Sequence, residues 1–215
     1  MRVAILGGTG SLGLGLTVRL CAVGHDVVIG SRDAARGAAV AARLRLPNAT
    51  GAENSEAARA ADVVVIAVPP ESHDKFVRSL ASDLAGKLVV DATVSMGPNR
   101  TFRPPEAGSA AEETRSLAPA ARVVAAFQTL SARLLADPGR PLDQDVLVCG
   151  DDPEARATVL ELVSTIGARG VDAGGLTQAG ALEALAVLLI NLNVRYRRRD
   201  LGIRIAHLPP DARPR

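Results

Sequence analysis

RVAILGGTGSLG, Arg2 to Gly13, is the stretch whose reading decides the fold. Val3 to Leu6 are four consecutive apolar residues and read as a buried strand, and Gly8, Gly10 and Gly13 follow in G-x-G-x-x-G spacing. Leu12, Leu16 and Leu20 then recur every fourth residue, the apolar face of a helix that Gly24 stops. In such a strand, turn and helix the first glycine permits the turn, the second lets backbone approach a pyrophosphate, and the third lets helix pack closely on strand. The helix N-terminus, with free N–H groups and the positive end of its dipole, faces the phosphates. Glycine is frequent in this chain, 20 of 215 residues, so the spacing alone is weak. Its place between a strand and a helix, with a second strand from Asp26 to Ile29 completing a βαβ unit, makes it a dinucleotide site.

The end of that second strand selects the dinucleotide. Sites for NAD carry a carboxylate there for the ribose hydroxyls, whereas this chain reads Gly30-Ser31-Arg32. Ser31 stands 18 residues after Gly13, and neither it nor Arg32 repels a 2′-phosphate. Arg32 offers planar bidentate donors, Ser31 one more, and Arg36 a second cation, which favours NADP. The bland alternative is that both arginines are solvated surface charge.

Composition bounds the rest. At 47% apolar the chain is globular, and with only 2% aromatic residues its core is Ala, Val and Leu and offers no stacking platform for nucleic-acid bases. Cys21 and Cys149 give neither a disulfide framework nor metal-ligand spacing and read as small buried hydrophobes. Met1-Arg2 leads straight into a strand, and the longest apolar segment, Ala184 to Leu192, is too short for a bilayer. The expectation is a cytoplasmic protein with no membrane partner. The net charge of +2 is polarised: residues 195–215 carry +5 and residues 1–194 carry −3.

Further elements follow in order. Ala34 to Leu44 is a crossover helix, Glu56 to Ala61 a short helix, and Val63 to Val68 a strand with no polar residue, as a parallel strand covered on both faces requires. Pro69-Pro70 ends it over the cofactor crevice, with His73 in the loop beyond and a helix from Asp74 to Leu84. Leu88 to Ala92, Val123 to Phe127 and Asp145 to Gly150 are strands, and Ser109 with Glu112 or Glu113 caps a helix between them. A helix from Asp152 to Ile166 and a long one from Ala179 to Arg199 close the chain. The pattern is an α/β, Rossmann-type doubly wound parallel sheet: an NADP-binding domain at residues 1–150 and a small helical C-terminal domain at 151–215.

The acid–base inventory is thin, with three histidines and one tyrosine and no pattern that sets a base beside a nucleophile. No residue is assigned a catalytic proton. Hydride transfer fits this, because it needs alignment of two rings and exclusion of water more than a general base. His25 reads as structural, and His73 as either a cofactor-edge contact or a solvated loop residue. Asp151-Asp152 resembles a metal pair, but helix capping explains it better, and no metal is expected. The all-round apolar run Leu185 to Leu192 implies a homodimer through the C-terminal part, or burial inside the subunit. The arginines of the basic end either complement a helix dipole or attract an acidic ligand; nucleic acid is a weaker option.

RVAILGGTGSLG, GHDVVIGSRD, GSAAEETR, DVLVCGDDPEAR and LNVRYRRRDLGIRI together resemble the NADPH-dependent reductases of the deazaflavin coenzyme F-420, hereafter F420. The resemblance covers essentially the whole chain. It implies hydride transfer between NADP(H) and F420, with NADP on the fingerprint and the deazaflavin in the cleft against the C-terminal domain. It implies NADP contacts at Gly8, Thr9, Gly10, Ser11, Leu12, Gly13, Ser31, Arg32 and Arg36, with Val68, Pro69 and His73 above the cofactor and Gln128 and Leu201 on the substrate side. Members often carry His where Gln128 stands and an aromatic where Pro70 stands. That departure leaves open a reductase of another small substrate, an imine or a conjugated alkene. A non-catalytic NADP sensor with the arginine-rich end as its docking surface is the third reading.

Overall fold

A computed structural model describes residues 1–208. Of the basic end, Arg213 and Arg215 lie outside the described residues, as does Asp211. Eight strands form one sheet: β1 (Arg2–Leu6), β2 (Asp26–Ser31), β3 (Ala49–Glu53), β4 (Val63–Ile66), β5 (Leu88–Asp91), β6 (Arg122–Ala125), β7 (Asp145–Gly150) and β8 (Arg169–Asp172). Their order is 3-2-1-4-5-6-7-8. Every neighbouring pair is parallel except β6 with β7. The first six strands therefore follow the doubly wound order, and the crevice at the reversal between β1 and β4 is where ligands collect.

Among the described residues eight α-helices cover the two faces: α1 (Ser11–Ala22), α2 (Ala34–Leu44), α3 (Asn54–Ala60), α4 (Pro70–Leu80), α5 (Ala110–Leu117), α6 (Ala132–Leu135), α7 (Pro153–Thr165) and α8 (Ala179–Arg195). Alternation along β1 divides the core. Val3 and Ile5 pack with Leu16 and Leu20 of α1 and Val159 of α7, while Ala4 and Leu6 pack with Val77 and Leu80 of α4 and Leu182 of α8. Both faces being covered is why the strands read as unbroken apolar runs. Cys21 and Cys149 are buried and unpaired, and burial pushes their thiols up to about 11 and about 12, far from the thiolate a nucleophile needs.

The larger differences from the sequence reading lie at four places. β3 and β8 were not anticipated; they are the two edges of the sheet, short and half-buried, and the segments ATGAE and RGVD carry no apolar run. α4 begins at Pro70 and not at Asp74, because proline needs no N–H donor in the first helical turn, so His73 is a helix residue. The sheet runs across residue 150: β8 pairs with β7, and α7 packs on both, so the expected cut between residues 150 and 151 separates two hydrogen-bonded strands. α8 ends at Arg195, and Arg197 has a left-handed φ of 52° that prevents its continuation.

The helical segment Leu176–Arg195 is longer than the apolar run from Ala184 to Leu192, and by length and composition it could cross a membrane. In the fold it is docked on protein. Leu182, Glu183, Ala186, Val187 and Leu189 are buried, while Leu188 and Val194 are more than half exposed.

Candidate functional site

The fingerprint turn is built as expected, with one reassignment. The residue in the left-handed region is Gly7, at φ 70°, one position before the G-x-G-x-x-G. A Cβ on Gly8 would lie 2.5 Å from Ile5 O, and one on Gly13 would lie 2.6 Å from Gly8 Cα, so these two glycines close the helix onto the turn. Gly10 is different. A Cβ there meets only Gly7 O, at 3.8 Å, and projects into open space at the start of α1. That space is a crevice of about 560 Å³.

Thr9, Gly10, Ser11, Leu12 and Gly13 line one wall of it, with Ser31, Arg32 and Arg36 at one end and Val68 and Pro69 opposite. Ten of the residues expected to hold a dinucleotide are thus gathered in one place, while Gly8 lies beneath them as packing. The two carboxylates beside the end of β2 are engaged: Asp33 Oδ1 accepts from the N–H groups of Ala35 and Arg36 and caps α2, and Glu53, paired beside Ser31, accepts from the Ser55 N–H and caps α3. Neither Arg32 nor Arg36 has an ion pair among the described residues, so both guanidinium groups are available to an anion. Asn54 at this end was missed. It is 4% exposed, lines the crevice, and its Oδ1 has no partner, a signal that its sequence setting at a helix start conceals.

His73 does not line this crevice. It is 2% exposed and, in place of the two settings weighed for it, lies in a buried cluster. Its Nε2 donates to Asp91 Oδ2 at 2.8 Å and its Nδ1 to Glu113 Oε2 at 2.8 Å, so the ring carries both protons and is an imidazolium. Burial alone would lower its pKa, but hydrogen bonds and charge from Asp91 and then Glu113 outweigh that and lift it to about 9. Asp91, fully buried, also accepts from Thr114 Oγ1 at 2.6 Å and from the Thr93 N–H at 2.9 Å. Burial would raise its carboxyl, and the His73 bond and charge more than reverse this, so it stays ionised. The cluster sits at the C-terminal end of β5, directly before Thr93, Val94 and Met96, which form the end of the crevice opposite Arg32.

Gln128 and Leu201 are placed behind that end and line no part of the crevice. Gln128 is 9% exposed; its Nε2 donates to Asp91 O at 2.8 Å and its Oε1 is unpartnered. Phe127 before it holds φ at 76°, a strained conformation for an aromatic residue. The segment that carries Leu201 crosses the same flank: Ser131 Oγ donates to Arg199 O, and Gln144 Nε2 donates to Asp200 O. Arg19 of α1 fixes the other side of this loop through the carbonyls of Leu134, Leu135 and Arg140. Asp152 caps α7, and Asp151 accepts from the Leu176 N–H and pairs with Arg115, so this doublet is a pair of caps.

The family model for NADP oxidoreductase, coenzyme F420-dependent, matches residues 2–95. The F420-dependent NADP reductase of Methanocaldococcus jannaschii is 39% identical over 97% of this chain and 99% of its own length. A crystal structure of an Arthrobacter sp. FB24 protein, assigned as an F420-dependent NADP reductase, superposes with a TM-score of 0.83 at 29% identity, covering 96% of this chain and all of the other. The metalloreductase STEAP3 of Rattus norvegicus is 36% identical over 88% of this chain, which spans 37% of that longer protein.

Proposed function

This chain belongs to the F420-dependent NADP reductase family, and on that premise we propose that it transfers a hydride directly between NADP(H) and the deazaflavin coenzyme F420. The observation that carries the reading is full-length kinship at 39% identity to a reductase of that name, joined to a crevice whose second-strand end carries Ser31 and Arg32 and no free carboxylate. The crevice fits a dinucleotide: Gly10 leaves room that any Cβ would fill, and α1 presents its N-terminus to it.

Thr9, Gly10, Ser11, Leu12 and Gly13 hold the pyrophosphate by backbone N–H groups and the helix dipole, and Ser31, Arg32 and Arg36 hold the 2′-phosphate. Val68 and Pro69 on one side and Thr93 to Met96 on the other flank the far end, where apolar walls exclude water. When bound, NADPH supplies the hydride. The hydride goes to the ring carbon, and the proton that completes reduction of the deazaflavin is taken up from solvent at a ring nitrogen, so no side chain of the crevice wall has to supply it. Gln128 and Leu201 belong to the flank that receives the deazaflavin, and His73 acts on the crevice indirectly.

The exposed apolar side chains Leu188, Val194 and Tyr196 on and after α8 support a homodimer through the C-terminal part, and a cytoplasmic location goes with a small-molecule reductase. Anaerobic mixing of the protein with NADPH and the deazaflavin tests the reading. The deazaflavin absorbance bleaches as NADPH is consumed. NADPH consumed with an imine or a conjugated alkene, and none with the deazaflavin, transfers the assignment to the other reductase class; binding without any oxidation transfers it to a sensor.

A further inference from the structure

The crevice wall at Ala92 to Met96 is irregular apart from an isolated bridge between Met96 and Phe102, and two of its peptide N–H groups are held by carboxylates from inside the protein. Asp91 Oδ1 accepts from Thr93 N at 2.9 Å, and Glu183 Oε2 accepts from Ser95 N at 3.0 Å. Glu183 Oε1 accepts from Ala110 N, the first residue of α5, at 2.8 Å. Both carboxylates are 0% exposed. Glu183 comes from α8, 88 residues beyond Ser95, and has no ion pair among the described residues. Burying a carboxylate in this way is costly, and an apolar residue would complete the face of α8 at less cost.

The reason lies in what the segment must do. Thr93 and Ser95 are tied at alternate peptide groups, which presents Val94 and Met96 to the crevice. Thr93 Oγ1 is buried and unpartnered, on the wall shared with a second cavity of about 320 Å³. Since Arg32 and Arg36 occupy the 2′-phosphate end, this wall faces the nicotinamide end. Hydride transfer requires the donor and acceptor carbons to approach within roughly 3–3.5 Å, so a wall that drifts by about an ångström costs on the order of a hundredfold in rate.

We propose that Asp91 and Glu183 are positioning residues for the hydride step: two buried carboxylates that clamp the 92–96 segment so that it fixes the nicotinamide ring from behind. The proposal rests on the hydride-transfer reading given above. His73 and Thr114 hold Asp91 in turn, and Gln128 binds the Asp91 carbonyl, so the clamp also reaches the substrate flank. The titratable groups that face one another here are His73 and, outside it, Arg78 on α4, Asp91 at the end of β5, Glu113 on α5, Glu183 on α8 and, within range of Glu183, Cys149 on β7 and Glu112 on α5. Burial, with a further push from Asp91, lifts Glu183 to about 7 against the hydrogen bonds from Ser95 and Ala110, so this arm of the clamp gains its charge near neutral pH.

Two measurements test the clamp. In the unmodified protein kcat should rise between about pH 6 and 8, whereas the Kd for NADPH should follow the same pH course with and without Glu183, set by ionisation of the 2′-phosphate. In Glu183→Gln one of the two N–H groups faces an amide NH2. NADPH should bind within about twofold of normal, the emission gain of its bound nicotinamide should be lost, kcat should fall on the order of tenfold to a hundredfold, and the limb near pH 7 should vanish. Equal emission gain in both proteins, an undiminished kcat in Glu183→Gln, or a Kd for NADPH that rises in Glu183→Gln in step with the fall in kcat would overturn the proposal. If the unmodified protein binds NADPH but reduces no deazaflavin, the reaction reading fails, and the emission of bound NADPH still decides the clamp.

Discussion

At its phosphate end the crevice is made of backbone, glycine and exposed arginines from residues 7–36, with Asn54 beside them; at its other end it is held by buried polar and charged side chains. The first end is local. Gly7 to Gly13 lie on one turn, and Arg32 and Arg36 follow directly from the second strand. The second gathers His73, Asp91, Thr114, Gln128 and Glu183 from five separate parts of the chain. Binding an anion needs donors and space, which a short motif can supply. Holding a ring to a fraction of an ångström needs a wall tied from several directions, which only tertiary structure can supply.

The contrast breaks most sharply at the glycines. Gly10→Val should leave the protein folded, because its Cβ meets nothing closer than 3.8 Å, and lower NADPH affinity by more than roughly a hundredfold by filling the pyrophosphate space. Gly13→Val should instead unfold the turn, because its Cβ would stand 2.6 Å from Gly8 Cα. Thermal melting beside an NADPH titration separates the two; a Gly10→Val protein that binds normally would show that the crevice is not the dinucleotide site.

At the buried end, Asp91→Ala leaves the His73 cation without its main partner and should cost about 3–5 kcal/mol in urea unfolding. The same cluster sets a pH dependence. His73 has its pKa raised from 6.5 to about 9 by folding, so its contribution is complete below about pH 6.5 and is lost as pH rises through 9. The unmodified protein should therefore lose roughly 3 kcal/mol over that window, and His73→Gln should not. Identical slopes in the two proteins would mean that His73 is not charged in the fold.

Smaller effects belong to the exposed end. Arg32→Ala should weaken NADPH by roughly tenfold to a hundredfold, about 1.5–3 kcal/mol, and leave NADH almost unchanged. Equal losses for both nucleotides would make Arg32 structural. Smallest of all, Ala at both Arg197 and Arg198 should raise the deazaflavin KM a few fold at low salt without altering kcat, because exposed cations steer an acidic ligand and are screened by salt. Arg198 already shares Asp200, which limits the gain from it.

The same division explains what the sequence disclosed. RVAILGGTGSLG and GSR expose the dinucleotide end and its NADP preference because cause and effect are neighbours there. Asp91 closes an LVVD strand and looks like a terminator, and Glu183 sits in ALEALAVLL as one polar residue on an apolar helix. Nothing near either in sequence says that it is buried, since the side-chain donors to Asp91, on His73 and Thr114, and the N–H donors to Glu183, on Ser95 and Ala110, lie elsewhere in the chain. Pro69-Pro70 reads as a break, whereas Pro70 opens α4 and carries His73 inward. The edge strands β3 and β8 escape because half-buried edges lack the apolar run that marks the central strands.

The central claim is a direct hydride path from one ring to the other, and a label tests it most directly. NADPH carrying deuterium at the transferring position of C4 is mixed anaerobically with the protein and the oxidised deazaflavin, and the products are read by mass spectrometry. The account predicts one deuterium in each reduced deazaflavin formed and none released to water, with Gly10→Val forming no product. Oxidation of NADPH with the deuterium in solvent, or an unlabelled reduced deazaflavin, would contradict it.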